Sequence, residues 1–196
     1  LVQAFSDVSI IASRVVHAPA PSPELIANLY VRCLDFISPK SFYIFQKQGR
    51  CHYAFLGAVY LLPSNAAKRT SLTDAVQYFL VKRPPGTSVE SFIREQRKDG
   101  KLKRSQPYLL GTGSRRLPTQ FFVIIDEEAI PCCGDITSAV DVLYKLHFVF
   151  NIEYATELKA FYAFLDHFVY EVGLPKIVIS ARAKELMASI KALSNK

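Results

Sequence analysis

Apolar positions along this chain recur with two periods, and each period predicts its own elements. Leu25, Ile26, Leu29, Tyr30, Cys33, Leu34 and Ile37 return at helical spacing. Ser22 stands ahead of them as an N-cap, Pro23 suits the first turn, and Pro39 stops the run. A second helix is expected from Leu72 to about Val81, capped by Ser71, with Ala75, Val76, Phe79 and Leu80 inward. Thr87 and Glu90 have capping-box spacing for a short helix through Val89, Phe92 and Ile93 that dissolves in "RKDGKLKR". Asp135 is placed to cap a nearly all-round apolar helix over 136–150, which should be buried on most sides. Over 156–172, Leu158, Phe161, Tyr162, Leu165, Phe168, Val169 and Val172 form one stripe, closed by Gly173 and Pro175. A last helix is expected from about 180 to 194.

The shorter period predicts strands. "SFYIFQKQGRCHYAFLGAVYLLP", rich in aromatic and β-branched residues and split by a Lys-Gln-Gly-Arg turn, reads as two antiparallel strands, 41–46 and 51–61. "QPYLLGTG" and "TQFFVIID" are strand-like, and "EEAIP" returns as a third strand after a tight acidic turn. Strands segregated between helices give the α+β class: a small antiparallel sheet packed with about five helices, the C-terminal third helical. "APAPSP" at 18–23 is a stiff breaker. The expected organisation is an N-terminal arm or linker over 1–21 and a single domain over 22–196.

Composition narrows the class. With 196 residues, half of them hydrophobic, the chain can fill a core. No apolar run approaches the length of a membrane-spanning helix, so no membrane role is expected. The first residue is Leu1, so a piece of a longer protein is expected. Four scattered cysteines are no disulfide framework, which points to a reducing, intracellular setting, nuclear or cytoplasmic. Net charge changes the picture most. Residues 82–116 hold ten Lys or Arg against three acids, which is the whole net charge of +7. The rest of the chain is balanced, and such a concentrated field attracts phosphates or acidic partners.

Candidate chemistry centres on that stretch. Gly111-Thr112-Gly113 lacks the third glycine, the Gly-Lys-Ser/Thr ending and the following helix that a phosphate cradle needs. A loop or bulge at a strand end is expected there instead. Lys101, Lys103, Arg104, Arg115 and Arg116 flank two adjacent strand-like segments, and a hairpin would bring them near one another. Each phosphate contact would add salt-dependent affinity, and Tyr108 could stack on a base. A solvated loop, an acidic protein partner and nucleic acid all remain open readings. Phe164 and Tyr170 lie off the aromatic stripe and, if exposed, would anchor a partner. Asp126, Glu127 and Glu128 suit a polar hairpin turn better than a metal or acid–base site. Cys132-Cys133 lacks zinc-ligand spacing. Cys51 and His52 would point to opposite sides of a strand, and His147 and His167 suit ordinary core and surface histidines. No catalytic motif, metal or cofactor is expected.

The segment "TQFFVIIDEEAIPCCGDITSAVDVLYKLHFVFNIEYATELKAFYAFLDHFVYEV" resembles the C-terminal region of a loose group of uncharacterised animal proteins. The group is expanded in fish, and some members are described as sterile-alpha-motif-domain-containing. The shared pattern is a strand, an acidic turn, an apolar helix, a short link carrying Phe150 and Tyr154, and an aromatic helix. The resemblance spans about residues 119–172 and implies a module of a larger protein, with no activity or catalytic residue to carry over. The functional expectation is a non-catalytic interaction domain of a larger intracellular protein, binding a protein partner or itself. The alternative is a nucleic-acid-binding domain contacting phosphates through 82–116.

Overall fold

Ser22 starts the first long helix as the sequence predicts. Its Oγ accepts the Leu25 N–H at 3.2 Å, and α1 runs Pro23–Leu34. The structure, a computed structural model, describes residues 12–34, 49–63, 72–99, 106–114, 117–172 and 179–194. The chain divides into two units, Leu1–Ala75 with Thr156–Lys196, and Val76–Ala155. The sequence predicts a single boundary instead, after residue 21. Within the expected arm, residues 12–16 are helical and Val15 and Pro21 are buried, so this part is packed.

In the first unit α1 packs against α2, Arg50–Leu61. This corrects the strand expected over 51–61. The run holds a single β-branched residue, Val59, among Ala, Leu and aromatic residues, and an apolar run buried over most of its length has little period to separate strand from helix. The expected strand over 41–46 lies outside the described residues. Gly57 sets the α1–α2 approach, because a Cβ there would stand 2.6 Å from Cys33 Sγ and 2.7 Å from Cys33 Cβ. On helix propensity alone Gly57→Ala would gain about 1 kcal/mol. The clash reverses the sign, and a net loss of about 1–3 kcal/mol is expected. Urea unfolding checks it. Cys33→Ala should give little relief, because the Cβ remains, and an unchanged midpoint for Gly57→Ala would refute the close approach.

α3, Leu72–Phe79, spans the boundary between the units; its expected cap, Ser71, lies outside the described residues. The chain then turns directly into β1, Leu80–Arg83, where the apolar pattern predicts that the helix continues. α4, Val89–Asp99, follows. Its cap is Ser88, whose Oγ accepts the Ser91 N–H at 3.2 Å, whereas Thr87 donates its hydroxyl to the Pro84 carbonyl at 2.8 Å. The rest of the sheet is β2, Tyr108–Gly113, β3, Pro118–Ile125, and β4, Glu128–Cys132, in the order β1-β2-β3-β4. The α+β class holds. The sheet is mixed rather than antiparallel: β1 pairs parallel with β2, and the other two pairs are antiparallel. A parallel pair needs a crossover, and α4 supplies it.

Two helices cover this sheet. Phe92 of α4 joins Tyr108, Leu110 and Ile124 in one core, with Val81, Val89, Ile93, Phe122 and Ala129 packed around it. Strand alternation turns Leu109, Phe121 and Val123 to the other face. There α5, Ile136–Val149, packs on β2 and β3 through buried Ala139, Val140, Leu143 and Tyr144. Asp135 caps α5 as expected, its carboxylate accepting the Thr137 and Ser138 N–H groups at 2.9 and 3.2 Å. With both faces covered, every residue of β2 is buried.

The chain returns to the first unit with a 3₁₀ turn, Thr156–Leu158, then α6, Lys159–Phe164, and a π-turn, Leu165–Val169. The last helix, α7, Ala181–Ser194, starts on Ser180, whose Oγ accepts the Ala183 N–H at 3.2 Å. It packs on α1, where Asn28 Nδ2 donates to Ser194 Oγ at 2.9 Å and Arg32 Nε to the Ser189 carbonyl at 3.2 Å.

Candidate functional site

Gly111-Thr112-Gly113 is the end of β2, and its glycines serve packing. A Cβ on Gly111 would meet Pro118 at 2.8 Å, and one on Gly113 would meet the Thr119 backbone nitrogen at 2.6 Å. Gly113 has φ +148°, and the β2–β3 register shifts between Thr112 and Gly113. This is the strand-end bulge expected from the sequence, with backbone and proline where a phosphate would have to sit. The acidic triplet is equally local. Asp126 and Glu127 have φ 44° and 70°, and Ile125 pairs with Glu128, so the two acids form a two-residue hairpin turn with both centres left-handed.

Strand direction decides how the basic run is distributed. β1 and β2 run the same way, with Lys82 beside Gly111 and Arg83 beside Thr112. Their carboxyl ends therefore share one end of the sheet with the β2–β3 connection. That connection is closed by Ser114, whose Oγ donates to the Leu117 carbonyl and accepts the Leu117 N–H, each at 3.0 Å. Arg115 and Arg116 are the two residues between them in sequence and lie outside the described residues, as do Lys101, Lys103 and Arg104. The described chain resumes at Gln106 and enters β2 at its other end, roughly 17 Å away for six residues of strand. The acidic turn, Asp126 to Glu128, caps that same far end. The expected gathering of these two basic groups by a hairpin lies outside the described residues.

The aromatic candidates are corrected by burial. Tyr108 is 7% exposed and belongs to the core with Phe92, so its ring offers no stacking face. Phe164 is fully buried and stacks on Phe168 at 5.3 Å between centroids, and Tyr170 is 9% exposed. Every residue from Phe161 to Asp166 is buried. The π-turn then rotates the following positions away from a simple helical stripe, which is why Tyr170 arrives inward. The exposed apolar side chains at the end of α5 are instead Val149 and Phe150.

Two of the histidines are buried. His52 is buried on α2, edge-on to Tyr53 at 5.2 Å. His147 Nδ1 donates to the Leu143 carbonyl at 2.9 Å, and its ring lies 5.1 Å from Tyr154. Burial drives the His147 pKa down to about 4, partly offset by that bond. Burial also pushes the Cys132 thiol up. Among the described residues no three His, Cys, Asp or Glu side chains are grouped to hold a metal ion, and no helix is long and apolar enough to cross a membrane.

No family model, curated protein or solved structure matches this chain.

Sequence reasoning counts Lys82 and Arg83 as charge and misses them as a site. Arg83 lies over the Phe92 ring at 4.7 Å and donates to the Lys82 carbonyl at 3.4 Å. Lys82 is half-buried, and burial lowers its pKa. The legible signal is the apolar triplet Phe79-Leu80-Val81 running into Lys82-Arg83 and then Pro84-Pro85. A strand ended by prolines fits that stretch as well as a helix end.

Proposed function

We propose that this chain is a non-catalytic interaction domain of a larger protein that engages an acidic protein partner at the carboxyl end of β1 and β2. The observation that carries the reading is the parallel β1–β2 register, Arg83 beside Thr112, which puts Lys82 and Arg83 at the end of the sheet that leads into Arg115 and Arg116. The described acids nearest in chain to this end are Glu90, on the first turn of α4, and Asp135, which is engaged in capping α5. Four free cysteines suit an intracellular setting, nuclear or cytoplasmic.

Nucleic acid is the competing partner. It is disfavoured because Tyr108 is buried in the core and has no face on which a base could stack. The test uses the full chain with labelled oligoglutamate peptide and labelled single- and double-stranded oligonucleotides, at low and physiological salt. Peptide binding should exceed oligonucleotide binding and weaken with salt. Arg115→Ala with Arg116→Ala should lower peptide affinity while leaving the melting temperature nearly unmoved. Loss of melting temperature would make the two arginines structural, and absence of any binding at low salt would remove the reading.

A further inference from the structure

Among the described residues the sheet ends on β1 and β4. Apart from Glu128, β4 is Ala129, Ile130, Pro131 and Cys132, an uncharged run of the kind that invites pairing with another extended chain. The register decides which backbone groups such a chain would meet. Ile125 and Glu128 close the two-residue turn, so they are the pair that exchanges both backbone hydrogen bonds. Bonded and non-bonded pairs alternate from there. Ile130 with Val123 and Cys132 with Phe121 are bonded pairs. Ala129 and Pro131, opposite Ile124 and Phe122, turn their backbone groups away from β3. Proline has no N–H to give. Pro131 therefore stands where the β3–β4 ladder loses nothing and the outer edge loses a donor, and it is exposed. The opposite edge is blunted by other means. β1 has only four residues, carries Lys82 and Arg83, and runs into the exposed Pro84 and Pro85.

We infer that Pro131 closes the β4 edge to strand addition by a second copy of this chain. A copy laid along β4 would find the Ala129 N–H and, two residues on, a proline ring in place of the next donor. Two copies paired edge to edge about a two-fold axis would each lack that bond, so the loss counts twice. This holds whatever binds at the carboxyl end of β1 and β2.

The test is sedimentation velocity of the full chain over a concentration series, with reductant to keep the four cysteines free and melting temperature in parallel. Pro131→Thr restores the N–H in a residue that favours strands. It should self-associate at least about tenfold more tightly than the unaltered chain, with the melting temperature of the dilute protein unmoved. Equal association of the two proteins overturns the inference. Association that grows only as the melting temperature falls reports an exposed core and overturns it as well. Amide hydrogen exchange supplies a check that needs no variant. In the unaltered chain the Ala129 N–H should exchange roughly a hundredfold faster than the Ile130 and Cys132 N–H groups. Equal protection of the three would mean that the outer edge is already bonded, which overturns the role of Pro131. In Pro131→Thr the Ala129 N–H should become protected as concentration rises. Association that leaves it unprotected uses another surface and removes the edge from the account.

Discussion

Phe164→Ala is expected to lower the unfolding free energy by about 3–5 kcal/mol, the usual cost of emptying a buried aromatic position. The ring is fully buried, lies in a stretch of six consecutive buried residues, and stacks on Phe168. The π-turn that follows fixes the backbone, so the surroundings have little freedom to collapse into the space. Urea unfolding followed by circular dichroism measures the loss. Phe164→Leu, which keeps most of the volume, should cost markedly less. A Phe164→Ala protein with an unaltered midpoint would put the ring back on the surface. The same variant separates two meanings of a binding defect. Any affinity it loses should track its unfolded fraction, since the side chain has no face to offer a partner.

The second large effect is a fall in stability through the mildly acidic range. His147 is protonated near its ordinary pKa of 6.5 in the unfolded chain but only near 4 in the folded one. Between those values the unfolded state binds the extra proton, so stability rises with pH. The stability is fully present above about 6.5, declines as pH falls, and is lost at and below about 4. The gap corresponds to about 3 kcal/mol. Carboxylates titrate in the lower part of this window, so the informative quantity is the difference between the unaltered chain and His147→Phe. That variant keeps a ring beside Tyr154 and gives up the bond to the Leu143 carbonyl. It should be modestly less stable at neutral pH and lose far less between pH 6.5 and 4. Parallel profiles for the two proteins would refute the assignment.

Much of the local structure is legible in the residues because its causes are local. Asp135 announces α5 through a carboxylate that reaches N–H groups two and three residues on, and Ser22 announces α1 through a hydroxyl that reaches the N–H three residues on. The Gly111–Gly113 step is readable as a strand end, since two glycines near Pro118 fit a bulge and nothing in the spacing fits a phosphate. The α+β class follows from the same local cues.

Other positions are illegible for a physical reason. Over 51–61 most apolar residues are buried, and the period that distinguishes helix from strand fades when little of the surface is left to solvent. At 80–83 the helical pattern of α3 runs unbroken into β1, and only pairing with β2 draws the chain into a strand. The candidate site depends on that pairing. Sequence proximity puts Lys101, Lys103 and Arg104 with Arg115 and Arg116. The parallel pairing puts Lys82 and Arg83 beside Gly111 and Thr112 at the carboxyl end of β2, which nothing in the spacing announces.

Caps, turns, the amount of charge and the class of fold can all be read along the chain, because each depends on residues within a few positions of one another. Which charges share an end of the sheet, and which aromatic rings are spent in the core, cannot. Those outcomes follow from strand direction and from which faces are covered, and both are set by contacts between segments far apart in the chain.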